Sequence, residues 1–132
     1  MGNLFAIVFA FSPLPVVDVS ECPPYTQGYV FNDTIHICPD LTIPREEVVN
    51  HEIIHLIQAN IGGTILPPEF LDAMVKEYLT DSEILTVLTV YANSGYTDEE
   101  FEARLLSDLP SSFIMMMYRL SEGYASADTS ID

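Results

Sequence analysis

The chain has 132 residues, a length typical of a single domain, and its 48% of hydrophobic residues are enough to form a buried core. Twenty acidic residues against four basic ones give a formal net charge of -16. This balance excludes a nucleic-acid partner and disfavours anionic membrane surfaces, since phosphate groups must be met by Lys and Arg. Solubility explains the acidity most simply, and attraction of basic peptides or proteins is the alternative.

The first predicted element is a continuous apolar run at residues 4–11 (LFAIVFAF). The run is too short to cross a bilayer, and it lacks the basic segment that begins a secretory signal. Met1-Gly2 matches the start of a myristoylation signal, but Ala6 stands where that signal requires Ser or Thr. We therefore expect a buried strand and a soluble chain without a membrane span.

The two cysteines, Cys22 and Cys38, do not have the CxxC spacing of a zinc knuckle. A disulfide between them would staple a proline-rich loop to a sheet, and we expect this bridge. Two free thiols are the alternative, and metal ligation is disfavoured. A bridge would be compatible with an extracellular location, although the sequence has no clear signal peptide.

A β-hairpin is predicted over residues 28–38 (GYVFNDTIHIC), with Asn32-Asp33 as its turn. In the second strand, residues 34–38, the two isoleucines share one face and His36 points to the other. We expect His36 at the surface, and polarisation of a substrate carbonyl is its alternative role.

A long helix is predicted to begin near Pro44, with Thr42 as its cap, and to end at Gly62-Gly63. Its apolar residues surround much of the helix axis, which indicates that the helix is mostly buried. They are Val48, Val49, Ile53, Ile54, Leu56 and Ile57. The polar residues within this helix therefore need partners.

Four further helices are predicted in the C-terminal half. Their expected ranges are 69–79, 82–92, 97–108 and 110–123, the third opened by a capping box at Thr97 to Glu100 and the last stopped by Gly123. The tail, residues 124–132, is expected to be frayed. The pattern indicates one α+β domain with strands in residues 1–40, the long helix in 41–63 and helices in 64–123.

The long helix contains His51-Glu52-Ile53-Ile54-His55, which matches H-E-x-x-H. Residues four apart lie on one face of a helix, so both imidazoles can reach a single ion. Glu52 would then contact a water in the open coordination position and accept its proton as general base. The alternative, two core histidines satisfied by hydrogen bonds, would bury costly polar groups without a purpose.

The strand TIHIC, the short loop and the helix VVNHEIIHLIQ together resemble the minimal core of zincin metallopeptidases, over residues 28–62. The resemblance implies a peptidase that uses one zinc ion per chain and cuts a peptide or protein substrate, as an endopeptidase rather than an exopeptidase. It also implies that residues 34–38 form an edge strand that pairs with extended substrate. The expected fold is a small antiparallel sheet with this edge strand packed on the buried motif helix, followed by a mainly helical half.

The residues after the motif narrow the type of zincin. Metzincins continue as H-E-x-x-H-x-x-G-x-x-H, but Gln58 and Ile61 stand at the last two of these positions. The three methionines at 115–117 are therefore expected in the core and not in a Met-turn. Since no histidine comes after His55, a downstream third ligand must be a carboxylate, as in gluzincins.

Two carboxylates of the helix predicted at residues 97–108 are candidates for this third ligand. The segment at 100–103 (EFEA) resembles the E-x-E-A segment of small gluzincin-like proteins, which favours Glu100. A helical wheel places Glu102 on the buried face, and Glu100 could instead serve the capping box, so Glu102 is slightly preferred. Many gluzincins carry an Asp four residues after the ligand, where this chain has Arg104 or Leu106.

Other polar residues are candidates for supporting roles. Gln58 and Asn50 could be partners of the metal ligands. Tyr96, Tyr118 and Tyr124 could stabilise an oxyanion, although packing is the default expectation. The alternative function is a catalytically inactive binding or structural protein that keeps the zincin scaffold, and a fold without any metal is a third.

Overall fold

The computed structural model describes residues 14–131, with side chains described as far as residue 125. The strands are β1 (Val16–Asp18), β2 (Gly28–Phe31) and β3 (Thr34–Ile37). The helices are α1 (Arg45–Ile61), α2 (Pro68–Tyr78), α3 (Asp81–Tyr91), α4 (Thr97–Leu106) and α5 (Ser111–Ile131). These elements confirm the predicted α+β class with a helical C-terminal half. The strand predicted at residues 4–11 lies outside the described residues.

The sheet is mixed, whereas an antiparallel sheet was expected. Its strand order is β1-β3-β2, and β3 pairs in parallel with β1 and antiparallel with β2. The prediction that residues 34–38 form an edge strand is therefore wrong, because both edges of β3 already have main-chain partners. Within the described part of the chain, β2 is the strand on the outer side of the hairpin, and its second edge has no paired strand.

The predicted hairpin is confirmed. Asn32 and Asp33 have positive φ angles of 52° and 57°, the left-handed conformation that a tight hairpin turn requires. Ile35 and Ile37 are fully buried and belong to the same apolar cluster as Val48, Ile53 and Ile54 of α1. The hairpin thus holds β2 at a fixed height above the helix that carries the motif.

The expected disulfide between Cys22 and Cys38 is present, with a Cα–Cα distance of 5.8 Å. Cys38 is buried directly after β3, and its N–H donates to the carbonyl oxygen of Gln27 at 2.9 Å. The bridge therefore fastens the loop that leads into β2 to the far end of β3.

The two ends of helix α1 are capped differently. Pro44 occupies the N-cap position with extended angles and no side-chain cap. The hydroxyl of the predicted cap, Thr42, instead donates to Oε1 of Gln27 at 3.4 Å. The C-terminal prediction is confirmed, since Gly62 has a φ of 81° and donates its N–H to the carbonyl oxygen of Gln58. Helix α1 packs against the hairpin, α4 and α5, which explains its burial on several sides.

The capping box predicted at Thr97 does not form. Tyr96 occupies the N-cap position of α4, and the Thr97 hydroxyl donates to the carbonyl oxygen of Tyr91 at 2.9 Å. A complete capping box instead opens α3, where Thr80 and Glu83 bond each other reciprocally. Helices α2 and α3 begin and end within one residue of their predicted bounds.

The last helix is longer than predicted. Helix α5 continues through Gly123 to Ile131, and Gly123 does not adopt the positive φ that would end a helix. Met115 and Met117 pack against the core as expected, whereas Met116 is 51% exposed. No helix in the described range combines the length and apolar character needed to cross a membrane.

Helix α4 contributes to two apolar clusters, and its place between them buries its polar residues. Ala103 and Leu106 belong to the cluster around α1 and β3, while Phe101 belongs to a second cluster with residues of α2 and α3. Because α4 is packed on both sides, its carboxylates at 100 and 102 are buried among protein groups and need partners there.

Candidate metal centre

The two histidines of the motif lie one turn apart on α1 and converge. Their Nε2 atoms are 3.1 Å apart, and the rings meet edge to face at an interplanar angle of 75°. Both side chains are partly exposed, so their nitrogens face a space that solvent can reach.

Glu100, in the first turn of α4, reaches both histidines. Its Oε1 lies 3.1 Å from Nε2 of His51, and its Oε2 lies 3.0 Å from Nε2 of His55. Among the described residues, His51, His55 and Glu100 form a group whose ligand atoms all lie within 4.8 Å of one another. Two imidazoles and a carboxylate therefore meet at one point.

This group fits a zinc ion by its chemistry and spacing. Imidazole nitrogen and carboxylate oxygen are donors that zinc prefers, and three protein ligands are typical of sites that leave a fourth position open. Atoms about 2.0–2.1 Å from a tetrahedral ion are about 3.3 Å from one another. The Nε2–Nε2 separation of 3.1 Å is close to that value, and each histidine nitrogen lies 3.0 to 3.1 Å from a different oxygen of Glu100.

The preference for Glu102 as the third ligand is corrected in favour of Glu100. Glu102 is 0% exposed, but its Oε1 accepts from the N–H of Ile65 and its Oε2 accepts from the N–H of Leu66, both at 2.7 Å. The helical wheel identified the buried face correctly, yet that face meets the segment after α1 and not the two histidines.

Gln58 contacts a candidate ligand, whereas Asn50 does not. Oε1 of Gln58 lies 2.8 Å from Nδ1 of His55. The side-chain amide of Asn50 donates to the carbonyl oxygens of Ser107 at 2.9 Å and Leu109 at 3.3 Å, on the other side of the helix bundle. Asn50 therefore joins α1 to the end of α4, away from the candidate ligands.

Arg104 occupies the position at which many gluzincins carry an Asp. Its Nε lies 3.5 Å from Oε1 of Glu100, so this residue contacts the candidate carboxylate ligand. Its guanidinium therefore places a positive charge beside this carboxylate.

The two carboxylates beside the histidines have opposite protonation behaviour. Burial raises the pKa of Glu52 to about 7; the positive charge of His55 opposes this effect and Glu100 adds to it. Burial also favours the neutral form of Glu100, but hydrogen bonds from His51 and His55 outweigh it and hold the pKa of Glu100 well below its usual range. Glu52 is thus the carboxylate that can exchange a proton near neutral pH.

The hydrogen bond to Glu100 also affects His55. Burial lowers the pKa of His55, but the hydrogen bond that its ring donates to Glu100 and the negative charge of that carboxylate raise the pKa by more. The pair therefore exists as an imidazolium and a carboxylate over a wider pH range than isolated groups would.

The group lies in a cleft of about 780 Å³. Residues of β2 line one part of it, and the C-terminal half of α1 and the α3–α4 connection line the rest. Tyr91 and Tyr96 are among the lining residues, and no Lys or Arg is found among the described side chains that line the cleft. The pKa of Tyr91 is raised by burial and by the charge of Glu100, which indicates that Tyr91 lies near the ligands.

The remaining predicted residues lie elsewhere. His36 is half-buried in the central strand, where its ring stacks on Tyr29 at 4.7 Å, so the surface prediction is wrong and the ring does not line the cleft. Tyr118 packs against the core and Tyr124 is exposed away from the cleft. Tyr91 was missed because no local pattern marks the last residue of α3.

Comparison of the chain with protein-family models, with curated proteins and with solved structures found no match. The motif and the geometry of the site are therefore the basis for assigning a function.

Proposed function

We propose that this protein is a zinc-dependent peptidase of the gluzincin type. The observation that carries the proposal is the convergence of Glu100 from α4 on His51 and His55 of α1, at 3.1 and 3.0 Å, beside the buried Glu52. A chance pair of helical histidines would not require a carboxylate 45 residues away to complete a ligand set in an open cleft.

In this proposal, His51, His55 and Glu100 hold the ion. Bound zinc supplies a Lewis acid that polarises a peptide carbonyl and acidifies a water. Glu52 accepts the proton of the attacking water and returns it to the leaving amine. The raised pKa of Glu52 supports this role, because a carboxylate with a pKa near 7 can both accept and release a proton at neutral pH.

Extended substrate would bind along the outer edge of β2, and not along β3 as the sequence predicted. Gly28, Tyr29 and Val30 line the cleft, and no strand of residues 14–131 pairs with the outer edge of β2, whose N–H and C=O groups could accept strand addition. The absence of Lys and Arg among the described lining residues favours internal cleavage over recognition of a C-terminal carboxylate. The net charge of -16 favours basic substrates.

A second candidate function is a binding protein that keeps the metal site without turnover. The observation that favours it is the contact of Arg104 with Glu100, since many gluzincins have at this position an Asp that supports a histidine. This function requires zinc at the same residues but no hydrolysis.

The two functions are separated by Glu52→Gln. Wild type and variant are loaded with zinc, their zinc content is measured, and both are incubated with a broad peptide library. The proposal expects equal zinc content and a loss of turnover of about 10²–10⁴-fold in the variant. Glu47→Gln, the same change in the first turn of α1 and outside the cleft, is the matched control and should cleave like wild type.

Equal turnover by wild type and Glu52→Gln would exclude Glu52 as the base. A wild-type protein that holds one zinc ion and cleaves nothing would favour the binding protein. A wild-type protein that holds no zinc would exclude both functions.

A further inference from the structure

We propose that Gln58 and Glu102 form a hydrogen-bonded relay that positions His55 for metal binding, with a neutral amide in the place where gluzincins use a carboxylate. The inference rests on the proposed metal centre and assigns a role in it to two residues that do not touch the ion. Both are positioning residues and not ligands.

The relay is continuous and buried. Nδ1 of His55 lies 2.8 Å from Oε1 of Gln58, and Nε2 of Gln58 lies 3.0 Å from Oε1 of Glu102. Gln58 is 4% exposed and Glu102 is 0% exposed, so water cannot readily replace either partner. Each link is within ordinary hydrogen-bond distance.

The surroundings of Gln58 fix which way its amide points. Its Nε2 donates to the carbonyl oxygen of Glu99 at 2.9 Å as well as to Glu102. A flipped amide would place its oxygen against these two acceptor oxygens and lose both hydrogen bonds. Oε1 must therefore face His55, and His55 must present Nδ1–H to it.

This orientation determines what the other ring nitrogen can do. When Nδ1 carries a proton that is donated to Gln58, a neutral His55 has its lone pair on Nε2, the atom that faces His51 and Glu100. Outer partners of this kind normally fix the tautomer and ring orientation of a metal-binding histidine. The relay therefore prepares Nε2 of His55 as a ligand.

Glu102 anchors the relay to the main chain. The N–H groups of Ile65 and Leu66 each donate to one of its oxygens, so the carboxylate is held at both atoms and cannot rotate away from Gln58. A buried carboxylate without such donors would be costly, and this arrangement explains why an acid is retained in the core at position 102.

The test compares two buried amides of α1. Gln58→Met removes the relay while preserving side-chain length, and Asn50→Leu removes an amide that donates to the backbone at the opposite end of α4. Both variants lose buried hydrogen bonds between the same two helices, but only Gln58 contacts a ligand. Zinc affinity is measured by competition with a chromophoric chelator, and the visible spectrum of the Co²⁺-loaded protein reports ligand geometry.

We expect Gln58→Met to weaken zinc binding by about 10–100-fold and to change the Co²⁺ spectrum. Asn50→Leu should leave the zinc affinity within about twofold of wild type and the spectrum unchanged, even if it lowers the melting temperature as much. Zinc affinity in Gln58→Met equal to that of wild type, or an equal loss in both variants, would overturn the relay.

If Gln58→Met does not fold, the ring tautomer of His55 in the zinc-loaded wild-type protein provides the test, because the relay requires a proton on Nδ1 and leaves Nε2 for the ion. Nitrogen NMR shifts of the histidine rings distinguish protonated from metal-bound ring nitrogens. We expect Nδ1 of His55 to carry a proton, and a zinc-loaded protein in which this nitrogen carries none would overturn the relay. If zinc is bound as expected and no peptide is cleaved, the relay stands and the peptidase proposal fails.

Discussion

Gly28 of β2 lies so close to Val48 of α1 that a Cβ atom added at position 28 would be 2.8 Å from Cγ1 of Val48. The same atom would be 3.0 Å from the carbonyl oxygen of His36 and 3.6 Å from Cγ of Glu52. The lack of a side chain at Gly28 therefore sets the distance between the strand that borders the cleft and the helix that carries the motif.

The first prediction is that Gly28→Ala destabilises the protein by about 1–3 kcal/mol, because Val48 is buried and the His36 oxygen belongs to the backbone, so neither can move freely. The free energy of unfolding is measured in urea. Gly63→Ala is the matched control, since Gly63 also lines the cleft but a Cβ atom there would have nothing within 4 Å. Similar values for both variants would contradict the close contact.

The second prediction concerns the third ligand. Loss of a residue that contacts a metal ligand, but not the metal, typically weakens metal binding by about 10–100-fold. Glu100→Ala should weaken zinc binding by more than this, because it removes the carboxylate that contacts both histidines. Glu99→Ala, one residue earlier and also at the cleft, should bind zinc like wild type. Isothermal titration with zinc distinguishes them, and an unaffected Glu100→Ala would remove Glu100 from the site.

The third prediction is a pH dependence of the metal-free protein. Since the folded-state pKa of Glu52 is raised from 4.5 to about 7, the folded state keeps a proton that the unfolded chain has already released. The stability from this proton is fully present below pH 4.5 and is lost as the pH rises to about 7, with a magnitude of roughly 2–3 kcal/mol. Glu100, whose pKa is lowered, acts in a separate window: its contribution is lost as the pH falls below 4.5.

Urea unfolding in the presence of a chelator, at pH 5 and at pH 8, measures this effect. Wild type should lose roughly 2–3 kcal/mol more than Glu52→Gln between the two values, since Gln cannot ionise. Glu47→Gln serves as the control and should behave like wild type. A Glu52→Gln variant with the same pH dependence as wild type would show that Glu52 does not titrate in this range.

The fourth prediction concerns the Cys22–Cys38 bridge. The bonded cysteines are 16 residues apart, and closing a loop of this length stabilises by about 3 kcal/mol in the chain-entropy model. The double variant Cys22→Ala with Cys38→Ala should lose about this amount, and wild type in reductant should unfold at the same urea concentration as the variant. An unchanged midpoint under reductant would count against a stabilising bridge.

Local signals predicted the parts of this fold that depend on neighbours in sequence. The turn at Asn32-Asp33, the end of α1 at Gly62 and the spacing of His51 and His55 are all determined by residues within a few positions of one another. The strand order is not, because β1 has only three residues and its parallel pairing with β3 is set by distant packing.

The two errors on α4 have a common physical cause. Thr80 to Glu83 and Thr97 to Glu100 match the same capping pattern, but only the first forms a box, because Glu100 is bound by the histidines instead. A helical wheel shows that Glu102 is buried but cannot show that backbone amides lie above it. Which carboxylate meets which partner depends on contacts across about 40 residues, which a single sequence does not encode locally.

The separation of 45 residues between His55 and Glu100 also makes the ligand set a measure of complete folding. A fragment that ended before α4 would contain the whole H-E-x-x-H motif but only two of the three ligands. An ion held by all three ligands would link α1 to α4, so its binding free energy would add to the stability of the folded chain. Metal occupancy would then distinguish a finished molecule from one in which the second half of the chain has not yet docked.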